Sequence, residues 1–162
     1  MQIRSPVRKN KVTDYLIYES SARQEGWAKL VFLGVILLTL IPAIILIQID
    51  LIGAWVMFGA TVLDAALIYF IFPRKYQIYT SVVKIVLGGP FSFKFPLSSI
   101  KEGRPVDGSA SFVYGGLRLA SSNKGVVEIK RRGSMDVVIS PLDPDSFIEQ
   151  LNRAVKEHGG LV

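Results

Sequence analysis

The sequence has no cysteine and one histidine, His158, among its 162 residues. A chain without cysteine cannot form a disulfide, a thiolate zinc site, an iron–sulfur cluster or a cysteine nucleophile. His158 stands beside two glycines near the end of the chain, where an imidazole is more often a partner of a helix dipole than a base or a metal ligand. The glycine-rich nucleotide-binding signatures and the usual hydrolase and metalloprotease motifs are missing as well. We therefore predict a protein that is not an enzyme and that binds no cofactor or metal.

Charged residues are nearly absent between residues 30 and 72, where only Asp50 and Asp64 occur. The uncharged run over residues 30–49 covers about 30 Å as a helix, which is the thickness of the hydrocarbon core of a bilayer. A second apolar run follows over residues 51–72. The alternative, a buried helical hairpin of a soluble protein, fits two adjacent runs of this length less well. We predict a transmembrane hairpin over residues 27–72, with helices at about 28–49 and 52–72.

Basic residues flank both ends of the predicted hairpin. Arg23 and Lys29 precede the first apolar run, Arg74 and Lys75 follow the second, and the turn between them contains only Asp50. The short turn makes the helices antiparallel neighbours, so both chain ends lie on one side. The positive-inside rule then predicts cytoplasmic termini in a multi-pass protein of the inner (plasma) membrane. Because about 26 mostly polar residues come first, we expect an uncleaved anchor rather than a signal peptide.

Asp64 is the one carboxylate inside the second predicted span. An ionised carboxylate is costly there and often marks an ion path, a proton relay or an interhelical hydrogen bond. Small residues surround it in the sequence, and this pattern favours close helix packing with a polar contact. These residues are Gly59, Ala60, Ala65 and Ala66. A small subunit of a transporter or channel that uses Asp64 is kept as an alternative.

The segment before the hairpin, residues 1–26, is predicted to be cytoplasmic. It contains a short apolar patch made of Val12, Tyr15, Leu16, Ile17 and Tyr18. Such a patch fits either an interfacial segment on the membrane or an extra strand added to the C-terminal domain. The pattern does not choose between the two.

After residue 72 the pattern changes from continuously apolar to alternating, which is typical of strands. The inward positions of the first two predicted strands are Tyr76, Ile78, Thr80, Val83, Ile85 and Leu87. Phe91, Phe93 and Phe95 give the next strand one aromatic face, which is expected to face the core. A polar loop is predicted over residues 102–111. Further strands are predicted over residues 112–120, 126–131 and 135–140, which makes a meander of about six or seven strands.

A single amphipathic helix is predicted to end the chain. Asp143 followed by Pro144 is a strong helix start, with a capping acceptor and a proline at the first helical position. Apolar residues then recur at helical spacing at Phe147, Ile148, Leu151, Ala154 and Val155. Gly159 and Gly160 are expected to end the helix, whose apolar face should cover an open end of the sheets.

Three segments of this domain resemble the bacterial pleckstrin-homology-like (PH) proteins. They read YQIYTSVVKIVLGGPFSFKFPLSSI, GLRLASS and KGVVEIKRRGSMDVVISPLDPDSFIEQL, and the similarity covers about residues 74–157. The resemblance implies a strongly bent seven-stranded sheet or partial barrel capped by the C-terminal helix, and it implies no particular activity. We therefore predict an α+β protein: a two-helix transmembrane hairpin, then a mainly antiparallel PH-like domain over residues 73–162.

The predicted cytoplasmic domain is basic. From residue 73 onward it has 13 Lys or Arg against 8 Asp or Glu. Basic residues near an anionic bilayer surface each contribute about 1 kcal/mol of attraction. The candidate lipid- or partner-binding residues are Lys84, Lys94, Lys124, Lys130, Arg131 and Arg132.

The leading hypothesis is a membrane-anchored binding or assembly module that presents a sheet edge or a helix groove to a protein partner. The first alternative is a surface that reads anionic lipid headgroups through the basic residues. The second is the transporter or channel subunit that uses Asp64. Nucleic acid is not an expected partner, because the alternating phenylalanines are explained as a core face rather than a stacking platform.

Overall fold

The computed structural model of the protein describes residues 14–107 and 116–159. This part of the chain contains three α-helices, eight strands and one short 3₁₀-helix. Val12, Gly160, the predicted loop residues 108–111 and the first residues of the predicted strand over 112–120 lie outside it.

Two apolar helices form an antiparallel hairpin, as predicted. They are α1 (Gly26–Leu46) and α2 (Leu51–Ile71). Asp50 caps α2, because its carboxylate accepts a hydrogen bond at 3.1 Å from the backbone N–H of Ile52. Both helices are long and apolar enough to cross a membrane.

The first sheet is antiparallel and has the strand order β1-β2-β3-β4. Its strands are β1 (Leu16–Ser21), β2 (Lys75–Tyr79), β3 (Val82–Val86) and β4 (Ser92–Pro96). Because β1 and β2 are neighbours, the helical hairpin is inserted between two adjacent strands of one sheet. Of the two alternatives for the N-terminal apolar patch, the structure shows the extra strand.

The second sheet has the strand order β5-β7-β8-β6. Its strands are β5 (Ile100–Val106), β6 (Leu117–Leu119), β7 (Val126–Arg131) and β8 (Val137–Ile139). β6 and β8 run parallel, whereas the other pairs are antiparallel. A 3₁₀-helix, Leu97–Ser99, joins the two sheets. The predicted α+β class with a mainly antiparallel domain is confirmed.

β5 overturns part of the polar loop predicted over residues 102–111. Residues 102–106 are a strand paired with β7. Gly103 is buried, and a Cβ at this position would lie 2.8 Å from the Leu151 side chain. The backbone N–H of Gly103 donates to Asn152 Oδ1 at 2.8 Å, and Asn152 Nδ2 donates back to the Gly103 carbonyl at 3.1 Å. Contacts with a distant helix therefore hold this polar segment as a strand.

The C-terminal helix α3 (Pro144–His158) starts as predicted. The Asp143 carboxylate accepts hydrogen bonds from the Ser146 hydroxyl at 2.6 Å and the Ser146 N–H at 3.2 Å, and they hold the pKa of Asp143 below its usual value. Phe147 and Leu151 are fully buried against the sheets. The helix packs on β5 and also contacts β1, so one element closes both sheets.

The core contains most of the residues that the alternating pattern indicated. Tyr76, Ile78, Val83 and Ile85 are all fully buried. The aromatic face of β4 is a partial exception, because only Phe95 belongs to the core.

The expectation that Phe91 and Phe93 are core residues is wrong, although Phe93 pairs with the buried Ile85 and lies on the same face of β4 as Phe95. Phe91 and Phe93 remain 53% and 41% exposed. β4 lies at the edge of its sheet, and Phe91, in the turn before it, packs edge-to-face on Phe70 of α2 with ring centroids 5.5 Å apart. The helical hairpin, rather than the second sheet, is thus the neighbour of this end of the strand.

The buried Tyr76 is expected to make the folded protein less stable at alkaline pH. Burial raises its pKa from 10.0 to about 12, while its hydroxyl donates to the Leu119 carbonyl at 2.9 Å. Between these two pH values the unfolded chain releases the tyrosine proton and the folded chain keeps it. The contribution of Tyr76 to the free energy of unfolding is therefore unchanged below pH 10. It falls by up to about 3 kcal/mol as the pH rises from 10 to about 12. Thermal unfolding at a series of alkaline pH values should show this loss.

The matched variant for this experiment is Tyr76→Phe. It should be less stable at neutral pH by about 1 kcal/mol, because a buried carbonyl loses its donor. It should also lose the additional decline above pH 10. An equal decline in both proteins would show that Tyr76 is not its source.

Candidate functional site

The two ends of the β domain differ in their distance from the helices. We call residues 22–25, 72–74 and 121–125 the helix-proximal end, since α1 begins and α2 ends there. We call residues 96–100 and 131–133 the helix-distal end. Arg132 N–H donates to the Ser99 carbonyl at 2.6 Å, which joins the two segments of the helix-distal end.

The short linkers on either side of the hairpin are fixed to the domain by main-chain hydrogen bonds. Ala22 N–H donates to the Arg74 carbonyl, Arg23 N–H to the Ser140 carbonyl, and Arg74 N–H to the Val86 carbonyl, each at 2.8 Å. The linkers are thus joined to each other and to both sheets. This arrangement fixes the direction in which the domain projects from the helices.

Three serines strengthen this junction. Ser121 Oγ donates to the Arg23 carbonyl at 2.7 Å, and Ser122 Oγ donates to Glu25 Oε1 at 2.6 Å. The hydroxyl of Ser140 in turn accepts hydrogen bonds from the backbone N–H groups of both serines. No local sequence pattern indicates this junction, because Ser121 and Ser122 bond to residues 98 and 97 positions earlier in the chain.

The structure separates the predicted basic residues into different places. Lys124 is exposed at the helix-proximal end, two residues before β7 begins. Lys130, Arg131 and Arg132 lie at the opposite end of the same strand. A six-residue strand spans roughly 20 Å, so these residues do not form one surface with Lys124.

Lys84 and Lys94 lie next to each other in the first sheet. They are register partners in β3 and β4, on the face opposite the core. The same row continues through Gln77 to Glu19. The carboxylate of Glu19 accepts hydrogen bonds from Lys75 and Gln77, which lower the pKa of Glu19. The Glu19 end of the row is thus acidic and the Lys94 end is basic.

At the helix-distal end, Arg131 has a structural role. Its guanidinium lies 4.7 Å from the centroid of the Phe95 ring, and its backbone N–H donates to the Asp136 carboxylate at 2.9 Å. Lys130 is half-buried and Arg132 is exposed. Lys130 and Arg132 are therefore more available to a partner than Arg131.

An apolar groove of about 510 Å³ lies where α2 meets the β domain. We call it the apolar groove, and it is lined by Leu67, Phe70, Ile71, Leu87, Phe91, Ser92, Phe93 and Leu119. Four parts of the chain supply them, so no local sequence pattern indicated this site. Tyr69 does not line the groove but packs on its residue Phe70, and the Arg74 guanidinium lies 4.3 Å from the centroid of the Tyr69 ring.

Asp64 is half-buried in α2. Within residues 14–107 and 116–159 its carboxylate forms no hydrogen bond or ion pair. The buried polar side chain of this helix is Thr61, whose hydroxyl donates to the Met57 carbonyl at 2.9 Å. The structure thus brings no charged group to Asp64 in the part it describes.

Comparison with known families supports the resemblance seen in the sequence. Residues 74–155, just over half of the chain, match the bacterial PH domain family. No curated protein and no solved structure matches the chain. The matched region begins at Arg74, where α2 passes into β2, and it runs through most of α3. It therefore excludes both β1 and the helical hairpin. The chain belongs to the bacterial PH domain family.

Proposed function

We propose that this protein is a membrane-anchored binding module. In this proposal the hairpin spans the inner membrane, both termini and the PH domain are cytoplasmic, and the domain recruits or assembles a protein partner without catalysing a reaction. The observation that carries the proposal is the insertion of the hairpin between β1 and β2. Since both linkers are short and hydrogen-bonded, the domain is held at the bilayer in one orientation.

The surface of the hairpin supports the membrane anchor. Large apolar side chains remain open to the surroundings along both helices, including Leu38 at 74% and Ile52 at 79% exposure. A continuous apolar surface of this kind needs a lipid or protein cover. The basic residues Lys29 and Arg74 lie at the end joined to the domain, which agrees with a cytoplasmic location for the domain.

The orientation favours a protein partner for the helix-distal basic residues. Lys130 and Arg132 lie roughly 20 Å beyond the helix-proximal end, if β7 runs away from the bilayer. Attraction to an anionic bilayer falls off within a Debye length, about 8 Å at physiological ionic strength. Their charge is better placed for an acidic surface of a cytoplasmic protein. The alternative of anionic lipid binding is supported instead for the exposed residues Lys29, Arg74 and Lys124 near the helices.

Site-directed cross-linking tests the proposal. Because the chain has no cysteine, Ser134→Cys places one attachment point for a photo-cross-linker in the exposed turn beside Arg132. In inside-out membrane vesicles we expect the cysteine to react and to yield a protein adduct. The double variant Lys130→Glu/Arg132→Glu should reduce that adduct about tenfold, since charge reversal opposes an acidic partner.

The matched control reverses two basic residues near the helices, Lys29→Glu and Lys124→Glu. It should leave the adduct unchanged. A cysteine that reacts only in right-side-out vesicles would overturn the proposed orientation. An adduct that is lost equally in both double variants would overturn the assignment of the partner to the helix-distal end.

A further inference from the structure

We infer that the apolar groove holds one acyl chain of a bilayer phospholipid, whose phosphate lies against Arg74. This inference rests on the proposed membrane anchor. It assigns a ligand to a surface that the proposed protein partner does not use, because the groove lies beside α2 and the helix-distal end does not.

The groove has an aromatic wall that the protein leaves uncovered. Tyr69 packs edge-to-face with Phe70 at 5.4 Å between ring centroids, and Phe70 packs in the same way on Phe91 at 5.5 Å. Phe93 continues the wall along β4 and stacks on Phe95. The volume of the groove falls within the usual range of small-molecule sites. Aromatic residues of this size contribute strongly to binding when a ligand covers them.

The wall is continuous with the surface that faces lipid in the proposed anchor. Leu67 and Ile71 line the groove from α2, and they are 48% and 63% exposed. They belong to the last two turns of the helix, at the level where hydrocarbon meets headgroups. An acyl chain can therefore enter the groove sideways from the bilayer without crossing water.

Charge at one end of the groove identifies the headgroup chemistry. Arg74 is exposed and follows α2 directly, and its guanidinium is held over the Tyr69 ring. Within the described residues no carboxylate pairs with it. Guanidinium groups bind phosphate through two parallel hydrogen bonds. The pairing of an apolar groove with one cation matches a phospholipid, which has an acyl chain beside a phosphate.

The lining also favours a lipid over a peptide. Ser92 supplies the one side-chain hydroxyl among the eight lining residues, so the groove offers few polar side chains for a peptide main chain. β4 is an edge strand and presents a second way to bind a peptide, by strand addition. That binding would use the backbone of β4 and would not need the α2 side of the groove.

Photolabelling of the full chain tests the inference. The protein is reconstituted in vesicles of phosphatidylethanolamine and phosphatidylglycerol that contain phosphatidylglycerol with a diazirine in one acyl chain. Labelled residues are then mapped by peptide mass spectrometry. We expect labels on the segment containing Phe91 and Phe93 as well as on α1 and α2. Phe93→Asp should reduce labelling of that segment about tenfold, because it places a carboxylate among apolar groups. Arg74→Gln should reduce it severalfold.

The matched control is Leu142→Asp. Leu142 is 59% exposed near the same end of the domain, where its N–H donates to the Ser21 carbonyl, and it does not line the groove. This variant should keep full labelling of the groove. Because Phe93 and Leu142 are both exposed side chains, neither variant is expected to unfold the domain. Thermal unfolding of all variants separates loss of the label from loss of the fold.

Three results would overturn the inference, and they differ in what they say about the anchor. Labels on α1 and α2 without labels at Phe91 and Phe93 would reject the groove and keep the anchor. No labels on either helix would reject both. A photo-cross-linker at Phe93 that captures a protein in native membranes, and no lipid, would assign the groove to a peptide.

Discussion

Replacing Gly88 with alanine is expected to lower the free energy of unfolding by about 3 kcal/mol. Gly88 is buried in the turn between β3 and β4, where it meets the end of α2. A Cβ at this position would overlap the carbonyl oxygen of Tyr69 and lie 2.7 Å from its carbonyl carbon. Backbone atoms cannot rotate away from such a contact, so the turn and the helix must separate.

The separation would also open the junction that orients the domain. Phe91 follows the turn directly and would lose its contact with Phe70. We therefore expect Gly88→Ala to reduce lipid labelling of the apolar groove together with stability. Thermal unfolding of the full chain in detergent, followed by circular dichroism, measures the first effect.

Glycines with open surroundings provide the control for Gly88. Among the described residues, a Cβ added at Gly34 in α1 or at Gly59 in α2 would meet nothing within 4 Å other than the adjacent backbone of its own helix. Alanine at either position should leave stability unchanged or slightly higher, since alanine is the better helix former. If Gly88→Ala unfolds at the same temperature as Gly59→Ala, then the close approach of the turn to α2 does not exist in the protein.

Local patterns predicted much of this fold. The alternation of Tyr76 and Ile78, and of Val83 and Ile85, indicated both the strands and their buried faces, because side chains of a strand point alternately to its two faces. The pair Asp143 and Pro144 located the start of α3, since capping depends only on neighbouring residues. The uncharged runs located both apolar helices, since hydrophobicity over about 20 residues is also a local property of the sequence.

Features that depend on distant contacts were not predictable in this way. β5 contains Gly103 and Pro105, which are typical of loops, and its strand conformation depends on α3 residues about 50 positions later. The insertion of the hairpin between β1 and β2 leaves no mark on the local pattern either. It is nevertheless the feature on which the proposed orientation depends.

In the candidate site, too, residue types were visible in the sequence, whereas their arrangement depends on contacts between distant parts of the chain. The six basic residues were grouped by their charge, but the direction of β7 separates Lys124 from Arg132. The adjacency of Lys84 and Lys94 follows from the register of β3 and β4, which the turn between them sets. The apolar groove combines side chains from α2, the β3–β4 turn, β4 and β6, so it exists only in the assembled fold.

Breaking the ion pair between Arg104 and Glu128 is expected to have a comparably large effect. Arg104 Nε donates to Glu128 Oε2 across β5 and β7, where the two residues are register partners. The Glu128 side chain is 1% exposed and that of Arg104 is 40% exposed. Arg104→Met would leave a buried carboxylate without its cation. We expect it to lower the free energy of unfolding by about 3 kcal/mol.

The reverse change should be milder. Glu128→Met leaves a guanidinium that already reaches water, and we expect a loss of about 1 kcal/mol. The second carboxylate oxygen, Oε1, is buried and has no hydrogen-bond partner within the described residues, so its replacement by an apolar group removes the cost of burying an unpaired acceptor. The double variant Arg104→Met/Glu128→Met should therefore be more stable than Arg104→Met alone. Unfolding of the three variants in detergent completes a double-mutant cycle.

An exposed ion pair in α3 supplies the reference for this cycle. Arg153 and Glu149 lie one helical turn apart, with side chains 56% and 66% exposed. Arg153→Met should cost at most about 0.5 kcal/mol, because water screens such pairs. A similar small loss for Arg104→Met would show that Glu128 is hydrated and that the pair does not hold β5 to β7. A large loss, recovered in the double variant, would show that Arg104 compensates the buried Glu128 carboxylate and that the pair adds little net stability over apolar side chains.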